Sequence, residues 1–179
     1  MTVARRLRLA CLMILLVCTV GCDQISKHIA REGLSQTDSV RLPGGLVELK
    51  LAENPGSFLS LGALLPRAAR FAVFTLGVGV GLAAIFAYLT SRARIDMTRF
   101  IGLSFVMDGG LSNLLDRIFR HGLVTDFVAI HVGPLQTGVF NSADVLIMVG
   151  FAILIWRFRT PADRRTSPMQ RARGDEDSR

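Results

Sequence analysis

Two aspartates in apolar surroundings are the residues of this sequence that could carry out chemistry as a pair. Asp144 lies about one helical turn into an apolar run. Asp126 lies in a β-rich segment, on the same predicted strand face as valine and isoleucine, where burial would raise its pKa. Two neighbouring carboxylates do not both ionise readily, so they share one proton. The ionised acid can then activate a water against an amide carbonyl, while the protonated acid polarises that carbonyl and protonates the leaving amine. As neighbours, they predict peptide hydrolysis without a serine, cysteine or metal nucleophile.

Each aspartate has a plainer interpretation when it is taken alone. Asp144 can be a polar residue near a helix start, favoured by capping and by the helix dipole. Asp126 can be a loop residue at the end of a strand. The catalytic interpretation is favoured because Asp126 precedes an apolar run and Asp144 lies just inside it. If that run crosses a membrane, both residues lie at the same membrane boundary.

A second polar group follows a glycine pair near the end of another apolar run. Asn113, Asp116 and Arg117 share one helix face at spacings of three and four. Arg117 can neutralise a carboxylate or hold a backbone carbonyl, although an interfacial anchor is the plainer interpretation. Asn141 likewise shares a helix face with Asp144.

Two further motifs flank these runs. Asp23 and Lys27 stand four residues apart, the spacing of an ordinary helix ion pair. The segment from Asn54 through Gly56 to Phe58 contains a Pro-Gly turn signal, and its backbone amide could bind a substrate backbone.

Four apolar runs must position these residues, and 50% of the chain is hydrophobic. The runs cover residues 9–22, 71–90, 100–115 and 140–156. They predict a mainly α-helical membrane protein, a bundle of four transmembrane helices at roughly 8–28, 69–90, 98–117 and 139–158. One membrane-embedded domain over residues 1–160 is expected.

Arginines gather at the ends of these runs, as cytoplasmic anchors do. The clusters are Arg5, Arg6 and Arg8; Arg92, Arg94 and Arg99; and Arg157, Arg159, Arg164 and Arg165. With four helices all three clusters lie on one side, so both termini are predicted in the cytoplasm. The net charge of +7 is therefore explained by these arginine anchors at the membrane. With only one Trp and one Tyr for base stacking, no nucleic-acid partner is expected.

The segments between the helices on the outer side are rich in strand signals. Alternating apolar and charged residues predict a small periplasmic β element, at roughly 40–66 and 122–138. Residues 161–179 are polar and charged, which predicts a disordered cytoplasmic tail.

The first apolar run has an alternative interpretation. Its arginines, its apolar residues and Cys22 resemble a lipoprotein signal with a lipidated cysteine, whose removal would change the topology. Three further hydrophobic helices are unusual for a lipoprotein. Cys11, Cys18 and Cys22 show neither disulfide nor metal spacing and are interpreted as apolar helix residues.

Taken in order, the motifs resemble those of the lipoprotein signal peptidases over residues 7–158. The family's Asp-x-x-Thr/Ser-Lys motif is matched by residues 23–27, and its Asn-x-Gly-x-x-Phe element by residues 54–58 with the Phe one position early. Its glycine-rich motif ending in Asn-x-x-Asp-Arg is matched by residues 109–117, Val-x-Asp-Phe by 124–127, and Phe-Asn-x-Ala-Asp by 140–144. Any one of these motifs is weak, and the ordered set of five is specific.

The resemblance implies roles for the matched residues. Asp126 and Asp144 match the catalytic aspartates; Asn54, Gly56, Asn113, Arg117 and Asn141 match substrate-binding positions; Asp23, Lys27 and Asp116 match supporting positions. It also implies cleavage of prolipoproteins before a diacylglyceryl-modified cysteine, at the outer membrane face of a four-helix protein with a periplasmic β-cradle. No metal or other cofactor is implied. Contact with membrane lipid and a monomeric state are expected.

Departures from the family pattern keep two alternatives open. Ser112 stands where the family usually has glycine, so a crowded helix contact is expected. Asp108 adds an acid just before Gly109 and Gly110, where the family usually has an apolar residue. A specialised paralogue with few clients fits these departures. So does a non-catalytic membrane protein that binds lipoprotein precursors or relays protons, although no internal repeat of the kind carriers show is present.

Overall fold

In a computed structural model the chain consists of long helices and one small antiparallel sheet, and the structure describes residues 3–56, 62, 64–92 and 95–159. The helices are α1 (Val3–Gly33), α2 (Arg67–Phe71), a π-helical segment (Ala72–Gly77), α3 (Val78–Ser91), α4 (Met97–Phe119) and α5 (Ser142–Arg159). α2, the π-helical segment and α3 form one continuous helical rod. The four predicted helices correspond to α1, this rod, α4 and α5. The predicted tail at 161–179, Ser57, Phe58 and Arg94 lie outside the described residues.

The outer surfaces of the helices are apolar, as expected for a protein in a lipid bilayer. Among the described residues, two helices are long and apolar enough to cross a membrane, Arg5–Gly33 and Arg67–Ser91. Large apolar side chains on both are exposed, such as Ile14 at 64% and Val80 at 71%. Several ionisable residues of the bundle, by contrast, are buried, namely Asp23, Lys27, Asp108, Asp116 and Arg117. This arrangement, apolar outside and polar inside, is that of a membrane protein with an internal site.

The sheet has the strand order β1-β2-β3-β4 and is antiparallel throughout. Its strands are β1 (Val40–Arg41), β2 (Val47–Asn54), β3 (Val124–Val132) and β4 (Leu135–Gln136), all within the two predicted β segments. β2 and β3 form its centre, and their register pairs Ala52 with Asp126 and Asn54 with Val124. The end of β2 therefore brings Asn54 beside the acid on β3.

α1 and α4 run parallel and in register through three polar pairs. Thr19 contacts Asp108 (3.1 Å), and Ser112 donates to Asp23 (2.6 Å); the partners of both pairs are 89 positions apart. One turn further on, Lys27 meets Asp116 at the same offset (3.0 Å). Each helix thus presents a polar residue every fourth position, the spacing that keeps them on one face.

Ser112 does not crowd this helix contact, contrary to expectation. Its hydroxyl donates to Asp23 and accepts a hydrogen bond from the side chain of Gln24 (2.9 Å). A glycine would leave both partners one bond short, so the serine is part of the interface.

Lys27 is the charged centre of the bundle and is fully buried. Its ammonium group lies 2.7 Å from Asp23, 3.0 Å from Asp116 and 2.8 Å from the side-chain oxygen of Asn113. An ammonium group has three protons, and these three acceptors account for them. Two carboxylates and one amide oxygen therefore compensate for the loss of water around the buried cation.

α4 and α5 pack with their backbones in close contact. A methyl group at Gly109 would stand 2.3 Å from the carbonyl oxygen of Ala143, and one at Gly150 would stand 2.7 Å from that of Gly102. Only glycine fits at these positions, as in other membrane helix pairs that approach closely. This approach brings the first turn of α5 next to Asn113.

We expect Lys27→Met to destabilise the protein severely. The change removes the cation and leaves the carboxylates of Asp23 and Asp116 buried together, for which a loss of about 3–5 kcal/mol is typical. Thermal unfolding in detergent measures the effect. Lys50→Met, which changes a half-buried lysine on strand β2, is the matched control. An equal shift of the unfolding temperature in both variants would contradict the proposed importance of the buried contacts of Lys27.

Candidate active site

Asp126 and Asp144 line the same cavity, of about 150 Å³, between β3, α4 and α5. The predicted residues Asn54, Asn113 and Arg117 line it too. Its remaining walls are apolar or glycine, namely Phe74, Val78, Gly110, Val124, Ile147 and Met148. The structure therefore brings together both candidate acids and most of their predicted polar neighbours in a small, largely apolar space.

The start of α5 fixes the position of Asp144. Asn141 precedes the helix, and its side-chain oxygen accepts a hydrogen bond from the backbone N–H of Asp144 (3.0 Å). In return, the Asp144 carboxylate accepts one from the backbone N–H of Asn141 (3.3 Å). This reciprocal arrangement is a capping box, with aspartate in the place usually taken by glutamate. The helix begins three residues later than the predicted start at 139 because Asn141 caps it.

Two asparagine side chains connect the acids. Asn113 donates to Asp144 (2.9 Å), and Asn141 donates to Asp126 (2.6 Å). The side-chain amides of Asn141 and Asn113 also meet each other (3.2 Å). A continuous hydrogen-bonded path thus runs from one carboxylate to the other through two amides.

Asp126 is nearly fully buried, with 2% of its surface exposed. Burial, together with the charge of Asp144, raises the pKa of Asp126 from its ordinary value of 3.8 to about 7. Hydrogen bonds from Asn54 (3.0 Å) and Asn141 oppose this rise because they favour the ionised form. At neutral pH and below, Asp126 therefore retains a proton in a substantial share of molecules.

The turn after β2 is held by Asn54 and Arg117. The side-chain oxygen of Asn54 accepts from the backbone N–H of Gly56 (2.9 Å), so the amide predicted to bind a substrate is occupied within the turn. Arg117 donates to the carbonyl of Gly56 (3.0 Å) and to that of Asn113 (3.3 Å). Its buried Nε–H has no hydrogen-bond acceptor among the described residues.

The predicted supporting residues make contacts on α4, α5 and β3. Asp23 accepts from the backbone N–H of Ala143 (2.8 Å) and from the hydroxyl of Ser142, both in the first turn of α5. Asp116 accepts from the backbone N–H of Thr125 on β3 (3.2 Å). With Lys27 bound to Asn113, this cluster is more than the helix ion pair of the plainer interpretation. Among the described residues no group of three His, Cys, Asp or Glu side chains could hold a metal ion.

Sequence reasoning missed several participants. The carbonyl of Thr125 accepts a hydrogen bond from Asn141, and its hydroxyl accepts one from Arg31. The hydroxyl of Ser142 and the backbone N–H of Ala143 donate to Asp23. The carbonyl of Thr125 and the N–H of Ala143 are backbone groups, which leave no trace in residue types. Thr19, by contrast, precedes Asp23 and Lys27 by one and two turns, a repeat of four that could have indicated the polar face of α1.

Comparisons with known proteins agree with one another. A family model described as signal peptidase (SPase) II matches residues 14–160. A lipoprotein signal peptidase of Moorella thermoacetica is 30% identical over 150 residues, covering 84% of this chain and 93% of the relative. One of Maridesulfovibrio salexigens is 33% identical over 146 residues, covering 79% and 91%.

Solved structures share the fold. A bacterial membrane enzyme determined at 2.3 Å superimposes with a TM-score of 0.76 at 20% identity, covering 88% of this chain and 93% of the other. A second, determined at 1.9 Å, gives a TM-score of 0.74 at 20% identity, covering 86% and 95%.

We expect Asp144→Asn to lower the pKa of Asp126. The change removes the neighbouring negative charge that, after burial, does most to raise it. In the wild type a raised carboxyl pKa means that the folded protein holds this proton more tightly than the unfolded chain. The contribution of that proton to the free energy of unfolding is fully present below about pH 3.8, and it is lost as the pH rises through about 7.

The Asp126 pKa is measured from the ¹³Cγ chemical shift of labelled aspartate as the pH is raised. Asp38→Asn, which changes an exposed aspartate, is the control and should leave the titration of Asp126 where it is in the wild type. An unchanged midpoint in Asp144→Asn would show that the two acids are not coupled.

Proposed function

The chain belongs to the signal peptidase II family, and on that premise we propose that it cleaves prolipoproteins as an aspartic endopeptidase, with Asp126 and Asp144 as the catalytic pair. The observation that carries the proposal is their shared cavity, in which two amide side chains join the two carboxylates. The bond cut is the one before the diacylglyceryl-modified cysteine. A non-catalytic binder of precursors is not favoured, because a binder has no need of two coupled acids in one small cavity.

The environments of the acids suggest different roles. Asp126, with a pKa of about 7, is the proton donor. Asp144 lies in the first turn of α5, where the helix dipole favours negative charge, and it is the base. This division gives each acid the protonation state that its step requires.

The proposed reaction proceeds in two steps, addition of water to the carbonyl and then cleavage of the carbon–nitrogen bond. Asp144 takes a proton from water as the water oxygen bonds to the carbonyl carbon, and Asp126 gives its proton to the carbonyl oxygen. When the carbon–nitrogen bond breaks, the leaving amine receives the proton held by Asp144. The amine is thus protonated by the base of the first step and not, as the sequence suggested, by the acid that is protonated at the outset. Asp126 recovers a proton from one hydroxyl of the tetrahedral intermediate, which leaves a carboxylic acid and an amine.

Polar residues around the pair are proposed to hold the substrate backbone. Asn113 and Asn141 orient the acids, and Asn113 also lines the cavity in which a peptide would bind, while Asn54 and Gly56 shape the turn beside it. Arg117 is proposed to offer its Nε–H to a substrate carbonyl. Asp23, Lys27 and Asp116 act through these residues as positioning groups.

The membrane arrangement proposed is four spans within one domain over residues 1–160, with both termini in the cytoplasm and the site at the outer face. Two contacts support it by joining the basic clusters at one end of the bundle. Arg5 donates to the carbonyl of Thr90 (3.2 Å), and Arg157 donates to Asp96 (2.9 Å). A monomer in contact with lipid completes the proposed arrangement.

Asp126→Asn and Asp144→Asn are each expected to lower the rate of cleavage by at least about 10²-fold, because each removes one half of the acid–base pair. Cleavage of a diacylglyceryl-modified prolipoprotein by purified protein in detergent measures this. Asp38→Asn is the control and should cleave like the wild type. Full activity in either active-site variant would exclude the aspartic mechanism, and no cleavage by folded wild type would exclude the function.

The orientation is tested with reporter fusions. Alkaline phosphatase, which is active only outside the cytoplasm, is expected to be inactive when fused after Arg159 and active when inserted at Gly44, in the turn between β1 and β2. The opposite pattern would reverse the proposed topology.

A further inference from the structure

A second and larger cavity, of about 1270 Å³, borders the cavity that contains the two acids. It lies between the rod formed by α2, the π-helical segment and α3 on one side and α4 on the other. Phe74 and Arg117 line both cavities and form the boundary between them. The larger cavity has a different chemical character, because neither proposed catalytic acid lines it and its ionisable side chains are all basic.

The larger cavity opens sideways onto the lipid-facing surface of the bundle. Most of its lining is apolar, and some lining side chains are also exposed on the outer surface, such as Leu76 at 55% and Val80 at 71%. Ala83, the last lining residue on the rod, is thirteen positions after Arg70. At about 1.5 Å per residue this separation is about 20 Å, more than the roughly 15 Å of one hydrocarbon leaflet. An acyl chain can therefore enter from the bilayer and lie along the cavity.

Basic side chains gather at one end of this cavity. Arg67 and Arg70 lie three positions apart at the start of the rod, and His121 lies just after α4, four positions beyond Arg117. Among the described residues that line the cavity there is no Asp or Glu, and neither Arg67 nor Arg70 forms an ion pair with a described residue. Two arginines on one helix face, with an imidazole on the α4 side, suit an anionic group such as phosphate.

The place of these arginines in the membrane requires its own explanation. In the proposed topology the start of the rod is at the outer face, whereas arginine anchors gather on the cytoplasmic side. Arg67 and Arg70 belong to none of the three basic clusters from which that topology follows. In other membrane proteins, basic pockets between helices bind anionic lipid headgroups. A basic end joined to an apolar space that opens to lipid fits a molecule that has both an anion and an acyl chain.

We propose that the larger cavity binds an anionic phospholipid, with its phosphate held by Arg67, Arg70 and His121 and an acyl chain along the apolar walls. Guanidinium groups donate paired hydrogen bonds to phosphate oxygens, and the imidazole supplies a further donor. Because Phe74 and Arg117 bound the cavity, the lipid lies beside the acid pair without entering the smaller cavity. The inference concerns a binding site and does not depend on the proposed cleavage reaction.

The test is native mass spectrometry of the whole protein, purified in an uncharged detergent and titrated with phosphatidylglycerol. Wild type should bind one phosphatidylglycerol molecule specifically. Arg67→Gln/Arg70→Gln should raise the dissociation constant by about 10-fold or more, because two charge-assisted contacts with the phosphate are lost. Arg6→Gln/Arg159→Gln removes the same charge from exposed arginines at the other end of the bundle, and this matched control should bind like the wild type.

A second pair of variants tests the apolar part of the cavity. Gly79→Leu places a bulky side chain in it, because Gly79 lines the cavity and a methyl group there only reaches ordinary contact with Leu114 at 3.8 Å. Binding of phosphatidylglycerol should weaken by about 10-fold or more although both arginines are present. Gly81→Leu is the matched control, because Gly81 does not line the cavity and a methyl group there meets no atom within 4 Å. Thermal unfolding shows whether each variant is folded.

Two further ligands separate the possible occupants of the cavity. Diacylglycerol has the acyl chains without the phosphate, and inorganic phosphate has the anion without the chains. Each should bind at least about 10-fold more weakly than phosphatidylglycerol. Equal binding of diacylglycerol would overturn the inference, because the arginines would then have no part in recognition. Equal binding of inorganic phosphate would overturn it as well, because the apolar walls would have none.

The variants give the remaining outcomes. Unchanged phosphatidylglycerol binding in the folded arginine variant or the folded Gly79→Leu variant would overturn the inference and would indicate lipid bound non-specifically around the helices. The measurement requires no cleavage. A protein that binds the lipid but cleaves no prolipoprotein would therefore contradict the proposed function alone, and a protein that cleaves but does not bind would contradict this inference alone.

Discussion

A cation inside a membrane protein must be matched by acceptors, and the rest of this structure depends on how Lys27 meets that requirement. Its three acceptors come from α1 and α4, so the two helices cannot slide or rotate against each other without exposing a charge to apolar surroundings. The same acceptors have second partners. Asn113 holds Asp144, Asp116 holds the backbone of β3, and Asp23 holds the first turn of α5. The position of each proposed catalytic acid is thereby connected to one ammonium group.

The two acids are carried by different kinds of structure. Asp144 belongs to a helix and is fixed by the cap that begins it, whereas Asp126 belongs to a strand and is fixed by the sheet register. Neither element could build the pair alone. Their relative position is set where the sheet meets the helix bundle, through Asn141, which caps the helix and also binds Asp126. In the proposed mechanism, these unlike surroundings correspond to the different roles of the two acids.

Much of the fold and of the candidate site could be predicted from the sequence, and the parts that could not be predicted have physical explanations. The helices and strands follow from apolar runs and alternation, and the site residues from five motifs. The alignment of α1 with α4 was not predicted, because it depends on pairing Thr19, Asp23 and Lys27 with Asp108, Ser112 and Asp116 across the chain. The effect of Ser112 was predicted wrongly, since the partners of a hydroxyl determine whether it crowds or binds. Neither the π-helical turn nor the boundary formed by Phe74 has a signature in residue types, since both depend on backbone geometry.

The ion pair within α1 bears on how such a chain enters a bilayer. α1 is synthesised and inserted well before α4, at a time when Asp116 and Asn113 are not yet available. Because Asp23 lies one turn before Lys27 on the same helix, the two side chains neutralise each other without help from the rest of the protein. This part of the first segment can therefore enter the lipid without a net charge. When α4 packs against α1, the ammonium group gains Asp116 and Asn113, so this polar contact couples the packing of the two helices to the assembly of the candidate site.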